Sequence, residues 1–125
     1  TIWLAKDTAT RTCVFDRGDV PALVLDEAMK KAVAAAEILM VDGNEMDAAE
    51  QACIVAREKG TKVLYDCGGL YPGVERLLKL TDVMIPSEEF ALAHTKSKTV
   101  EEVASPSVSG FVAIMTSFTE SSDKR

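Results

Sequence analysis

The chain has 125 residues, 47% of them apolar and 27% charged, which suits one domain with a real core and argues against extended disorder. A net charge of −6 gives phosphate backbones and anionic lipid little to bind, so nucleic acid and membrane surfaces are poor partners and small molecules or proteins are better ones. The longest apolar run, residues 32–41, is broken by Glu37 and reaches only about half a bilayer span.

Residues 1–6 and 10–15 are β-prone and joined through Asp7 and Thr8, which reads as a hairpin. Helical spacing follows over 25–36, with Asp26 and Glu27 in the first turn, where carboxylates suit the helix dipole. Residues 38–42 form a continuous apolar run closed by Asp42-Gly43-Asn44, the pattern of a strand buried on both faces. Met46, Ala49, Cys53 and Ala56 then recur at helical spacing, with Asn44 placed to cap the start and Gly60 to end the helix. The unit repeats: a strand at 62–66, a helix at 74–80, a strand at 82–86, and a helix at 87–95 capped by Ser87. A helix at 99–104, an apolar strand at 111–116 and a polar, fraying tail at 117–125 complete the chain.

Alternating strands and helices with short connections predict a mostly parallel α/β sheet covered by helices on both faces, a three-layer α/β/α, Rossmann-like arrangement with an N-terminal β-hairpin. Ligands in such sheets bind outside the carboxyl ends of the strands, where Asp42, Asp66 and the Ser87-Glu88-Glu89 step all fall. Acids there can accept hydrogen bonds from sugar hydroxyls or hold the water shell of Mg²⁺, and Gly43, Gly68 and Gly69 admit a ligand close to the backbone. The plainer reading stands beside this one. Asp or Ser at such a junction is the preferred helix cap, and glycine there makes turns.

Cys13, Cys53 and Cys67 are odd in number, lack the close pairs of a zinc site and follow no signal-peptide core, so they read as reduced thiols of a cytoplasmic protein. His94 has no fixed Ser or Cys partner and reads as a surface or helix-end residue; Cys67, beside Asp66, reads as structural. Neither G-x-x-x-x-G-K-[ST] nor G-x-G-x-x-G occurs, which disfavours a stand-alone Rossmann-like nucleotide-binding domain.

The stretch AAEILMVDGNEMDAAEQACIVAREKGTKVLYDCGGLYPGVERLLKLTDVMIPSEEFA resembles the middle of a ribokinase-like, PfkB-type carbohydrate kinase, with the likeness covering about residues 35–93. The shared features are a strand ending in an acid, an alanine-rich helix ending on glycine, V-x-x-D, and L-x-x-x-D-x-x-x-P-S-E-x-F-A. The resemblance implies transfer of the γ-phosphate of ATP to a hydroxyl of a sugar or similar small alcohol, assisted by Mg²⁺. It also implies an α/β/α sandwich with a small β lid, through which such proteins often pair as homodimers; residues 1–15 would belong to that lid.

By position, the resemblance places Asp42, with Gly43 and Asn44, on the sugar and phosphoryl-transfer side. Asp66, Gly68, Gly69 and Thr116 fall on the nucleotide phosphate side, and Ser87, Glu88 and Glu89 in an N-x-x-E motif that organises Mg²⁺ and phosphate. Ser87 replaces the Asn of that motif and Phe90 its Glu, while Thr116 lacks the glycines that accompany it in the family. The substrate glycines and the G-A-G-D segment, whose Asp is the catalytic base, do not occur in the chain. The expectation is therefore a central portion of a sugar kinase, inactive as given, with no catalytic residue of its own. The alternative is a non-catalytic α/β interaction or binding module on the same scaffold.

Overall fold

The structure is a computed structural model, and it describes residues 1–103. Thr116, the strand expected at 111–116 and the tail lie outside the described residues. Strand β1 (Ile2–Ala5) pairs antiparallel with β2 (Thr10–Cys13), Ile2 opposite Cys13 and Ala5 opposite Thr10. The bend between them is formed by residues 6–9, with Ala9 in the left-handed region at φ 52°. Every residue of both strands is exposed, so the hairpin's order comes from its own ladder and not from a core.

The second part of the chain alternates as its punctuation foretells. Helix α1 (Glu27–Ala35) is capped by Asp26, whose carboxylate accepts the Met29 N–H at 2.8 Å. Strand β3 (Ile38–Val41), helix α2 (Met46–Lys59), strand β4 (Lys62–Cys67), helix α3 (Val74–Leu78) and strand β5 (Val83–Pro86) follow, then α4 (Glu88–Thr95) and α5 (Val100–Val103). The three strands form a parallel sheet in the order β3-β4-β5, Val41 beside Tyr65 and Tyr65 beside Met84. Helix α2 closes on Gly60, whose φ of +82° lets its N–H return to the Ala56 and Arg57 carbonyls. Thr61, next in chain, donates its hydroxyl to the Val33 and Ala36 carbonyls, which ties the end of α1 to the start of β4.

Side chains alternate across the sheet, and the two faces have different fates. Val41, Val63, Tyr65, Cys67 and Met84 share one face and are buried with Cys53 and Ala56 of α2, Val74, Leu77 and Leu78 of α3, and Phe90 of α4. Ala48 and Ala52 extend this cover onto Leu25, and their small side chains permit close approach of the helix. On the other face Ile38 and Met40 are 61% and 63% exposed. The expectation of a strand at 38–42 buried on both faces is therefore corrected among the described residues, whose helices cover one face of the sheet. A continuous apolar run provides two apolar faces, but burial of both requires a second layer, and the described helices contribute to one.

Two charged clamps hold the elements in place. Arg76 of α3 reaches Asp47 at 2.7 Å and Glu50 at 2.9 Å on α2. At the amino edge of the sheet Asp82 accepts the Val63 N–H at 2.8 Å and faces Lys62 at 3.5 Å and Arg57 at 3.9 Å. The Val63 N–H bond first, then Lys62 and Arg57, hold the Asp82 carboxyl below the usual carboxylate range. A depressed folded-state pKa stabilises above the unfolded value, near 3.9, and that contribution fades as pH falls through the folded value. Asp82→Ala is thus expected to cost about 1–3 kcal/mol at pH 7 and distinctly less at pH 3. Urea unfolding of both proteins at the two pH values checks this, and an equal difference at both would remove the charge from the explanation.

Candidate functional site

The register of the sheet brings the ends of β3, β4 and β5 to one edge. Val41 stands beside Tyr65 and Cys67 beside Pro86, so Asp42, Asp66 and Ser87 lie at or just past the last rungs of the ladder. Their surroundings differ.

Asp42 opens a tight turn. Its Oδ1 accepts the Asn44 N–H at 3.0 Å and its Oδ2 accepts the Asn44 side-chain amide at 2.6 Å. Asn44 is thereby committed to Asp42 and does not cap α2, as its sequence position had suggested; the cap position belongs to Glu45, and no side-chain cap bond is made there. The Glu45 carboxylate turns instead to the preceding segment, accepting the Leu23 N–H at 3.2 Å and pairing with Arg17. These contacts strap residues 17–25 over the β3–α2 junction.

Gly43 is buried, with φ at +83°, and a Cβ there would stand 3.0 Å from the Tyr65 hydroxyl oxygen and 3.5 Å from the Tyr71 ring. At Gly69 a Cβ would meet the same Tyr71 ring at 3.2 Å, whereas at Gly68 it would meet nothing. The three glycines thus differ in their surroundings. At Gly43 and Gly69 the space is used by tyrosines of the chain, and only Gly68 stands open.

Asp66 is exposed on the uncovered face of the sheet, and the Gly68 N–H bonds back to its backbone carbonyl at 3.1 Å. Ser87 caps α4: its Oγ accepts the Phe90 N–H at 3.1 Å and donates to the Gly68 carbonyl at 3.3 Å. Its own N–H donates to the Cys67 carbonyl at 3.0 Å, so the start of α4 is fastened to the turn after β4. Glu88 and Glu89 occupy the exposed first turn of α4. Phe90 is 1% exposed and packs edge-on to Tyr65 with ring centroids 6.4 Å apart. The Phe90 side chain thus serves the core and does not stand at the exposed edge. His94, exposed, stacks on Phe90 at 5.4 Å.

Among the described residues no three His, Cys, Asp or Glu side chains converge as a metal-binding group. Mg²⁺ usually keeps several waters and takes one or two carboxylates together with substrate phosphates. Asp66, Glu88 and Glu89 are exposed and do not make a protein cage. Glu88 and Glu89 repel bare phosphate.

The residue that sequence reasoning missed is Tyr65. It is fully buried, and its hydroxyl is the one buried side-chain polar atom without a hydrogen-bond partner among the described residues. Burial foremost, then Cys67, Tyr71, Asp42 and Asp66, push it up to about 12, so it remains a neutral donor. Alternation with Val63 and Cys67 marks it as core; nothing local marks its hydroxyl as special. The buried thiols of Cys67 and Cys53 are likewise raised by burial, to about 12 and about 11, and are poor nucleophiles, while Cys13 is exposed.

A cleft of about 670 Å³ opens over this junction, lined by Phe15, Arg17, Gly43, Asn44, Glu45 and Tyr71 among others. A neighbouring groove of about 470 Å³ runs from Leu23 and Leu25 past Asp42 to Ala48 and Ala52. No helix among the described residues is long and apolar enough to cross a membrane. No protein-family model matches the chain, and no curated protein matches it.

Proposed function

We propose that this chain is the central portion of an ATP-dependent sugar kinase of the ribokinase-like type, with an α/β/α architecture completed by further chain. The observation that carries the reading is the convergence of Asp42, Asp66 and the capped start of α4 on the carboxyl edge of one parallel sheet. In open α/β sheets that edge is where ligands bind.

On this reading the β3–α2 turn faces the sugar. Asp42 keeps acceptor capacity beyond its two bonds to Asn44, because a carboxylate offers about four lone-pair sites. Asp66, with Glu88 and Glu89, would hold hydrated Mg²⁺ on the nucleotide side. The metal supplies neutralisation of the phosphoryl charge; the chain's own residues position the acceptor and hold the ion. Phosphoryl transfer depends mainly on such positioning and charge stabilisation. A base for the acceptor hydroxyl is not assigned to any residue here, so the chain by itself binds and does not turn over.

A coupled ADP-release assay with a panel of ketoses, pentoses and nucleosides tests this. The 125-residue chain is expected to give no signal above background. The polypeptide of the whole reading frame is expected to turn over with Mg²⁺-ATP, and Asp66→Asn in it to lower turnover more than stability. Turnover by neither protein on any acceptor would sink the kinase reading. A second reading, a non-catalytic binding module, is favoured by Phe90, which is buried where the family motif carries a glutamate. It becomes the better account if the full polypeptide binds sugar and releases no ADP.

A further inference from the structure

The Tyr65 hydroxyl poses a problem that the kinase reading leaves open. A buried hydroxyl without a partner costs free energy, and native proteins rarely keep one without a use. Its position is specific. It ends against Gly43 and Tyr71, and both line the cleft over the β3–α2 junction. Gly43 holds its backbone at φ +83° with no side chain, and any larger residue there would collide with the hydroxyl. Beside it lie the Asp42 carboxylate and the first turn of α2, whose N–H groups no side chain caps.

The chemistry of these groups selects a ligand. Tyr65 offers a proton and does not ionise near neutral pH. Asp16 and Glu45 of the cleft and Asp42 of the neighbouring groove make the local field negative, and Arg17 is already paired with Glu45. An anion is repelled by these carboxylates. A bare cation suits the carboxylates but accepts no hydrogen bond, so it leaves the Tyr65 proton and the α2 N–H groups without a partner. An alcohol satisfies both kinds of partner, accepting from Tyr65 or the α2 N–H groups and donating to a carboxylate.

We infer that Tyr65 is the buried donor of a subsite at the β3–α2 junction that takes a hydroxyl of a neutral polyol, with Tyr71 as the ring lying over it. The choice of a sugar as that polyol rests on the proposed kinase reading; the subsite itself rests on the orphan hydroxyl, the glycine beside it and the uncapped helix. Tyr71 is 46% exposed and fills the space over Gly43 and Gly69 without a hydrogen bond to Tyr65, so its ring can shift outward for a ligand.

Titration calorimetry of the 125-residue chain and its Tyr65→Phe variant with D-ribose, D-fructose and, as an anion of similar size, gluconate tests the subsite. At least one neutral sugar is expected to bind the wild type. Tyr65→Phe is expected to weaken it about tenfold while Tm stays level or rises, because the variant also removes an unpartnered buried hydroxyl. Gluconate is expected not to bind. Three results overturn the inference: no sugar bound by the wild type, equal sugar affinity in the variant, or gluconate bound in preference to the sugars. Sugar binding lost in Tyr65→Phe, with no ADP release from the whole polypeptide, would sink the kinase reading and leave the subsite standing.

Discussion

Phe90→Ala is expected to remove about 3–5 kcal/mol of stability, the range for deleting a buried aromatic ring. A domain of this size holds about 5–15 kcal/mol in all, so the variant should be partly unfolded near 37 °C. The cause is the place of the ring in the core. Phe90 is 1% exposed, lies edge-on to Tyr65 and joins α4 to the covered face of the sheet. With it gone, α4 keeps the Ser87 cap and loses its main apolar anchor. Chemical unfolding followed by near-ultraviolet circular dichroism measures the loss. A change below about 1 kcal/mol would show that α4 does not depend on that contact, and would reopen the first turn of α4 as a site with freedom to move.

Gly43→Ala should cost nearly as much, for two separable reasons. The left-handed backbone at φ +83° costs an L-residue about 1–2 kcal/mol. The new Cβ would also stand 3.0 Å from the Tyr65 hydroxyl, and overpacking of a closed site costs about 1–3 kcal/mol more. Tyr65 cannot yield easily, since its ring is fully enclosed. The steric part disappears if the hydroxyl does. The double variant Gly43→Ala/Tyr65→Phe should therefore recover about 1 kcal/mol relative to additivity, with the backbone part remaining. Strict additivity in a double-mutant cycle would mean that the two residues do not touch, and the β3–α2 turn would lose its role as the cover of the hydroxyl.

Both variants concern residues whose importance is uneven in the sequence. Gly43 is conspicuous there, in a turn of Asp, Gly and Asn after an apolar run. Phe90 is not: it stands in a helix start between acids and alanines, at a position where the resembled kinases carry a glutamate. Its burial depends on the angle at which α4 meets β5, and that angle is set by Ser87 bonding to Cys67 and Gly68 across the turn. The distant partners are what make the residue matter.

The sequence by itself determined the order of hairpin, helix and alternating strands, the ends of most elements, and the gathering of Asp42, Asp66 and Ser87 at one edge. Local rules suffice for these features: period 3.6 against period 2, caps at helix starts, glycine at helix ends, and the parallel pairing that short strand–helix units impose. Tertiary structure alone decided how those residues are used. Asn44 has two attractive partners, the α2 start and the Asp42 carboxylate, and the three-dimensional path of the turn gives it to Asp42. Apolar residues on both faces of β3 are indistinguishable in the sequence, yet Val41 is enclosed and Met40 lies open because the described helices pack on one side. The Tyr65 hydroxyl became visible only when the chain had closed around it, because satisfaction of a polar atom depends on what surrounds it in space, and no neighbour in sequence reports that.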